Sequence, residues 1–124
     1  MSGTKVILDT NALLLYLQGN FIIEYDISEI GISVITKIEY LVNPDLGAKD
    51  LFLFDELERQ IKIFFLDKEE DTILKETIKI RKKYKLKLPD AIIAATAIVS
   101  NATLFSADDV FTKIYNLKFQ LINT

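Results

Sequence analysis

The sequence predicts an α/β fold: three layers, α/β/α, around a mostly parallel central sheet of about five strands. Three observations carry that reading. Short apolar runs recur along the chain, at Lys5–Leu8, Ile32–Ile35, Ile61–Leu66, Thr103–Phe105 and Phe119–Ile122. They are too short for helices and rich in β-branched and aromatic residues. Between them lie longer stretches of helical periodicity, and strands that alternate with helices make parallel sheets covered on both faces. Finally, 124 residues with no repeat, linker or low-complexity segment suit one domain spanning 1–124.

The elements follow in order. After Lys5–Leu8, a helix is expected over Ala12–Gln18, capped by Thr10 or Asn11 or by Asp9 itself, and ended at Gly19. Phe21–Asp26 is read as a short helix. Ile32–Ile35 is the second strand. Thr36 then opens a helix toward Asn43-Pro44, with Glu39 three residues on at capping-box spacing. Residues 48–59 show a bulky apolar face from Leu51, Phe52, Phe54 and Leu57. Asp67 and Glu70 have capping-box spacing and start a long helix toward Lys85. Pro89 suits the first turn of the next helix, which runs to about Ser100. A short helix from about Asp109 precedes the fifth strand.

Composition removes whole reaction classes. The chain has neither cysteine nor histidine. A disulfide framework, a thiolate zinc site, a Ser-His-Asp triad and a histidine acid/base nuclease are therefore impossible. No signal peptide or membrane span is legible, so a cytoplasmic protein is expected. The formal net charge of −3 does not by itself advertise nucleic-acid binding.

Four acids stand where apolar runs give way to helix starts: Asp9, Glu39, Asp90 and Asp108. Each has a plain local explanation as a helix cap or a dipole partner. Capping alone does not explain why all four should fall along one edge. In an open parallel sheet that edge is where the ligand crevice lies. Carboxylates gathered there repel one another unless a cation neutralises them, and oxygen-only ligands suit Mg²⁺ or Mn²⁺. Asp9 and Asp90 are the first choices for direct ligands, Glu39 for orienting water, and Asp108 for completing the shell.

The runs ILDTNALL, ITKIEYL, LKLPDAIIAATA and LFSADDVFTKI resemble, in order and spacing, the signature of PIN-domain ribonucleases, and most of all VapC-type toxins of toxin–antitoxin pairs. The resemblance spans essentially the whole chain. It implies a PIN-like fold, Mg²⁺- or Mn²⁺-dependent cleavage of RNA, metal and catalytic roles for Asp9, Glu39, Asp90 and Asp108, and supporting polar roles for Thr10, Asn11 and Ser106. It also implies a homodimer and a small antitoxin partner. One departure stands out: where many members carry Asp-Phe after the fourth acid, this chain has Val110-Phe111, so Asp109 competes with Asp108 for the fourth place.

Two other readings fit parts of the sequence. A receiver-like signalling domain also has parallel strands ending in acids, and Asp67 follows the third strand as a phosphoacceptor would. It leaves Glu39 and Asp90 without a task. An inactive PIN-like interaction module is the third possibility. Elsewhere, Lys75, Lys79, Lys82 and Lys83 share one side of the 67–85 helix, as an RNA grip or a solvated face. Arg81 falls on the apolar side, where it is expected to be at least half buried beside a carboxylate or helix carbonyls.

Overall fold

The computed structural model describes residues 3–23, 26–68 and 71–123. The chain runs β1 (Thr4–Leu8), α1 (Thr10–Leu17), β2 (Ile27–Ser33), α2 (Val34–Leu41), α3 (Ala48–Glu58), β3 (Lys62–Phe64), α4 (Thr72–Lys83), α5 (Leu88–Val99), β4 (Thr103–Ser106) and β5 (Lys118–Leu121). A 3-10 turn, Asp109–Lys113, links the last two strands. The five strands form one sheet in the order β3-β2-β1-β4-β5, and every pairing is parallel.

Alternation along the strands sorts the core into two halves. Ile7 and Leu104 pack with α4 and α5, against Ile80, Ala91, Ala94 and Ala95. Val6, Leu8, Ile32 and Phe105 face the other way, against Leu13, Tyr40 and Phe54 of α1, α2 and α3. The sheet is thus buried on both faces, the three-layer α/β/α arrangement expected. The strand order matters for function. Connections move outward from β1 to β3, then return to place β4 on the other side of β1, so the order reverses between β1 and β4. At such a switch point the carboxyl ends of the strands open a crevice. A receiver has the order 2-1-3-4-5 instead, so the topology rules out the signalling alternative.

Several local expectations are corrected. β2 begins at Ile27 and ends at Ser33, rather than covering Ile32–Ile35. Ser33 closes the strand and at once caps α2, its hydroxyl accepting the Ile35 N–H at 3.1 Å. Val34 and Ile35 look like strand residues but lie in the first helical turn. Thr36 is therefore inside α2, fully buried, and not a capping-box partner of Glu39. α1 starts at Thr10 with Asp9 as its cap, not Thr10 or Asn11. It ends as expected at Gly19, whose φ of +75° few other residues adopt. Of the helix expected over Phe21–Asp26, Phe21–Ile23 and Asp26 show none, and residues 24 and 25 lie outside the described residues. α4 starts at Thr72 after Asp71, so the Asp67 start is wrong, and Glu70 lies outside the described residues. Arg81 snorkels: it is exposed, and its guanidinium donates to the Leu86 carbonyl at 2.6 Å.

Gly31 is required where β2 meets β3. A Cβ there would sit 2.7 Å from the Phe64 ring and 3.1 Å from the Lys62 carbonyl. Among the described residues, no helix is long and apolar enough to cross a membrane.

Candidate functional site

The chain leaves β1 at Leu8 and enters α1 at Thr10, so Asp9 sits on the strand-to-helix corner at the switch point. Its N–H donates to the Phe105 carbonyl of β4 at 3.2 Å, which ties it to the neighbouring strand end. Its Oδ1 accepts the Ala12 N–H at 2.8 Å, and the buried Ser106 hydroxyl donates to the same carboxylate. Asp9 is only 7% exposed. Burial pushes its carboxyl up from the usual range to about 6; the hydrogen bonds from Ser106 and Ala12 pull it down, while the charges of Asp90 and Asp108 push it further up.

Asp90 arrives from the first turn of α5, placed there by Pro89. It is partly buried, and its carboxyl is also raised, first by burial and then by Asp108 and Glu39; Lys87 acts in the opposite direction. Glu39 comes from the second turn of α2. Its Oε1 accepts the Thr10 hydroxyl at 2.5 Å, a bond joining α2 to α1 across 29 residues. Asp108 follows β4 and caps the 3-10 turn, with Oδ1 accepting the Val110 N–H at 3.0 Å. Its own N–H donates to Ser106 Oγ at 2.9 Å.

Charge links the four acids named from the sequence in pairs: Asp90 and Asp108 both act on Asp9, and Asp108 and Glu39 both act on Asp90. Asp108, and not Asp109, contributes to that mutual repulsion. Thr10 and Ser106 meet the acids directly. Asn11 is exposed in the first turn of α1. Sequence reasoning missed Lys87, whose position three residues before Asp90 was the available signal, and Ser33, hidden because it serves strand and helix at once. It also missed the environment of Thr36, whose hydroxyl is the one buried side-chain polar atom among the described residues left without a hydrogen-bond partner.

The donor chemistry fits a hard divalent cation: carboxylate oxygens only, one of them deeply buried and held in place. In the side-chain positions seen, no three acids among the described residues are close enough together to enclose an ion. Asp9 is held by its cap and Glu39 by the Thr10 hydroxyl, while Asp108 is exposed.

The family model for the PIN domain matches residues 6–117. The chain belongs to the PIN-domain family. Its fold is similar to solved chains of toxin–antitoxin assemblies. One is the VapBC2 complex of Rickettsia felis bound to a promoter DNA fragment, with TM-score 0.76 and 17% identity over 97% of this chain and 100% of that one. Another is a toxin–antitoxin complex from Klebsiella pneumoniae, with TM-score 0.70 and 24% identity over 90% and 94%. DNA-bound VapBC from Salmonella typhimurium gives 0.72 and 17% over 94% and 97%. At these identities the likeness is one of fold. Among curated proteins, no sequence matches.

Proposed function

We propose that this PIN domain is a Mg²⁺- or Mn²⁺-dependent endoribonuclease, the toxin of a toxin–antitoxin pair. One observation supports the reading: a buried carboxylate with a raised pKa, Asp9, sits at the β1/β4 switch point under the charge of Asp90 and Asp108, with Glu39 acting in turn on Asp90. Uncompensated like charge is costly to keep unless it serves a ligand.

Asp9 and Asp90 would hold the ion directly, with Glu39 and Asp108 completing its surroundings. When bound, the ion lowers the pKa of a water and offsets charge on the phosphate. The residues of the chain supply the rest. Ser106 and the Ala12 N–H hold Asp9 in one orientation. Thr10 anchors Glu39 through Oε1, which fixes the carboxylate that orients the attacking water. Lys87 stands near Asp90, where it offsets phosphate charge as the RNA enters.

The family resemblance extends the proposal to partners. A nuclease active in its own cytoplasm needs an inhibitor, and a short antitoxin segment is assigned to the apolar surface of α1 and α3, where Leu51 and Phe52 stand exposed. A homodimer is the competing use of the same surface.

The test is cleavage of a labelled RNA by metal-free protein with and without added Mn²⁺. Wild type should cut only with metal. Asp9→Asn and Asp90→Asn should each lose at least about 100-fold, the scale set by removing one catalytic electrostatic group. Asp90→Asn cutting as fast as wild type would remove Asp90 from the site, and metal-independent cleavage would overturn the reading.

A further inference from the structure

The cations of this acidic chain are not evenly spread. Residues 79–87 read KIRKKYKLK, six cations and no acid, while the rest of the chain has nine cations against eighteen acids. This segment is the corner where α4 ends and α5 begins, and it leads through Leu88-Pro89 straight to Asp90. Lys79, Arg81, Lys82, Lys83, Lys85 and Lys87 are all exposed. The corner is therefore a positive ramp ending at a catalytic acid.

Beside the ramp lies a cavity of about 260 Å³, walled by Lys79, Lys83 and Tyr84 on one side and by Tyr115 and Asn116 on the other. Its second wall belongs to the loop after the 3-10 turn that Asp108 caps, and its first to the helix whose end leads to Asp90, so both walls connect along the chain to candidate site acids. The loop is pinned to the helix by one bond, the Tyr115 N–H donating to Tyr84 Oη at 3.1 Å. That bond uses the Tyr115 backbone and leaves its ring 92% exposed. A bare aromatic ring at a fixed place, flanked by two lysines, has no structural task in the folded chain. Lys79 already meets Glu76 at 3.6 Å, and that carboxylate, its side chain only 16% exposed, also lines the cavity; the Lys79 side chain itself is 75% exposed and open to an incoming phosphate.

We propose that this cavity is a subsite for an unpaired nucleotide of the RNA substrate, with Tyr115 stacking on the base and Lys79 and Lys83 holding the flanking phosphates. The proposal rests on the ribonuclease reading and adds to it a place, outside the acidic crevice, for one unpaired base. Stacking on an aromatic ring accepts any base but requires that the base be out of a duplex. The lysine ramp then carries the backbone from the subsite toward Lys87 and Asp90.

The experiment is fluorescence anisotropy of full-length protein in chelator, so that nothing is cut, with a labelled single-stranded 12-mer RNA and the same sequence as duplex. Tyr115→Ala should weaken single-strand binding about ten-fold, within the range for losing one stacked base. Tyr115→Phe should bind as wild type, because the ring and not the hydroxyl does the stacking. Lys83→Ala should weaken binding and lower the slope of log K on log salt by about 0.7, the release expected for one phosphate contact on a single strand. Tyr115→Ala should leave that slope unchanged. Since the ring is exposed, folding is not at stake, and a thermal melt confirms it.

Two results overturn the subsite alone: wild-type RNA binding that is unmoved by Tyr115→Ala, or duplex bound as tightly as single strand. Either would make the corner a plain electrostatic face or a surface for a protein partner. Wild type that binds no RNA overturns the subsite and the ribonuclease reading together. A Tyr115-dependent single-strand affinity in a protein that cuts nothing with Mn²⁺ upholds the subsite and removes the nuclease.

Discussion

The two edges of the sheet carry opposite kinds of charge arrangement. At the carboxyl edge Asp9, Glu39, Asp90 and Asp108 share one crevice, all of one sign. At the amino edge a cavity of about 430 Å³ is lined by Lys5, Glu29, Lys62 and Asp67, the first three alternating in sign across three adjacent strands. Lys62 there also lies 4.7 Å from the centre of the Phe64 ring. At the amino edge opposite charges alternate, whereas at the carboxyl edge a carboxylate raised first by burial is raised further by the like charges of Asp90 and Asp108. Cavity size is thus a poor guide to the chemistry of this molecule, and unrelieved charge at the switch point is the better one.

The contrast can be broken most severely by pH. Folded Asp9 keeps its proton up to about 6, against 3.8 for an ordinary aspartate. Between those values the folded state binds more protons than the unfolded state, so stability falls as pH rises. The raised Asp90 contributes in the same direction. Metal-free protein should lose roughly 2.5 kcal/mol through Asp9 between pH 4 and pH 7, and little more above that. Urea titrations at several pH values measure it, and Asp9→Asn should flatten the fall by a similar amount. A wild type and variant with parallel pH profiles would show that Asp9 stores no such strain.

A smaller effect sharpens the picture on the crevice side. Thr10→Ala removes the anchor of Glu39 and should slow RNA cleavage several-fold, about the 1–2 kcal/mol of a hydrogen bond to a charged group. It should change the turnover rate more than KM, and Thr10→Ser should restore most of it. At the amino edge Lys5→Ala should do least, moving stability within about 0.5 kcal/mol and leaving cleavage unchanged. A larger loss of cleavage from Lys5→Ala than from Thr10→Ala would reverse the assignment of the two edges.

Much of the site was legible because its signals are local. Asp9 and Asp108 each follow a short apolar run and each caps the turn behind it, so the local role and the converging role turned out to be held by the same side chains. Asp90 was marked by Pro89. The order of the strands was not readable, and with it went the reason the acids meet. β2 was misplaced because its outer half, Ile27–Glu29, is polar in alternation, while Val34 and Ile35 carry strand-like side chains into a helix. Residues far apart in the chain were the least legible. Tyr84 and Tyr115 are 31 residues apart and joined by one bond. Nothing in either neighbourhood announces the other. The exposure of Arg81 was missed because a helical wheel places Cα atoms and not the end of a long side chain, which here reaches past the helix to the Leu86 carbonyl.

The central claim is that the crevice trades stability for a place to hold a cation. It is tested most directly by thermal melting of wild type and Asp9→Asn at pH 7.5, each with chelator and with millimolar Mn²⁺. Asparagine keeps the capping role while removing the charge. In chelator, Asp9→Asn should melt several degrees above wild type, as expected for a relief of roughly 3 kcal/mol in a domain of this size. Mn²⁺ should raise the wild type, by about 1.4 kcal/mol at ten times its Kd, and should leave Asp9→Asn nearly unmoved. A variant that melts below wild type in chelator, or that gains as much from Mn²⁺ as wild type does, would contradict the account.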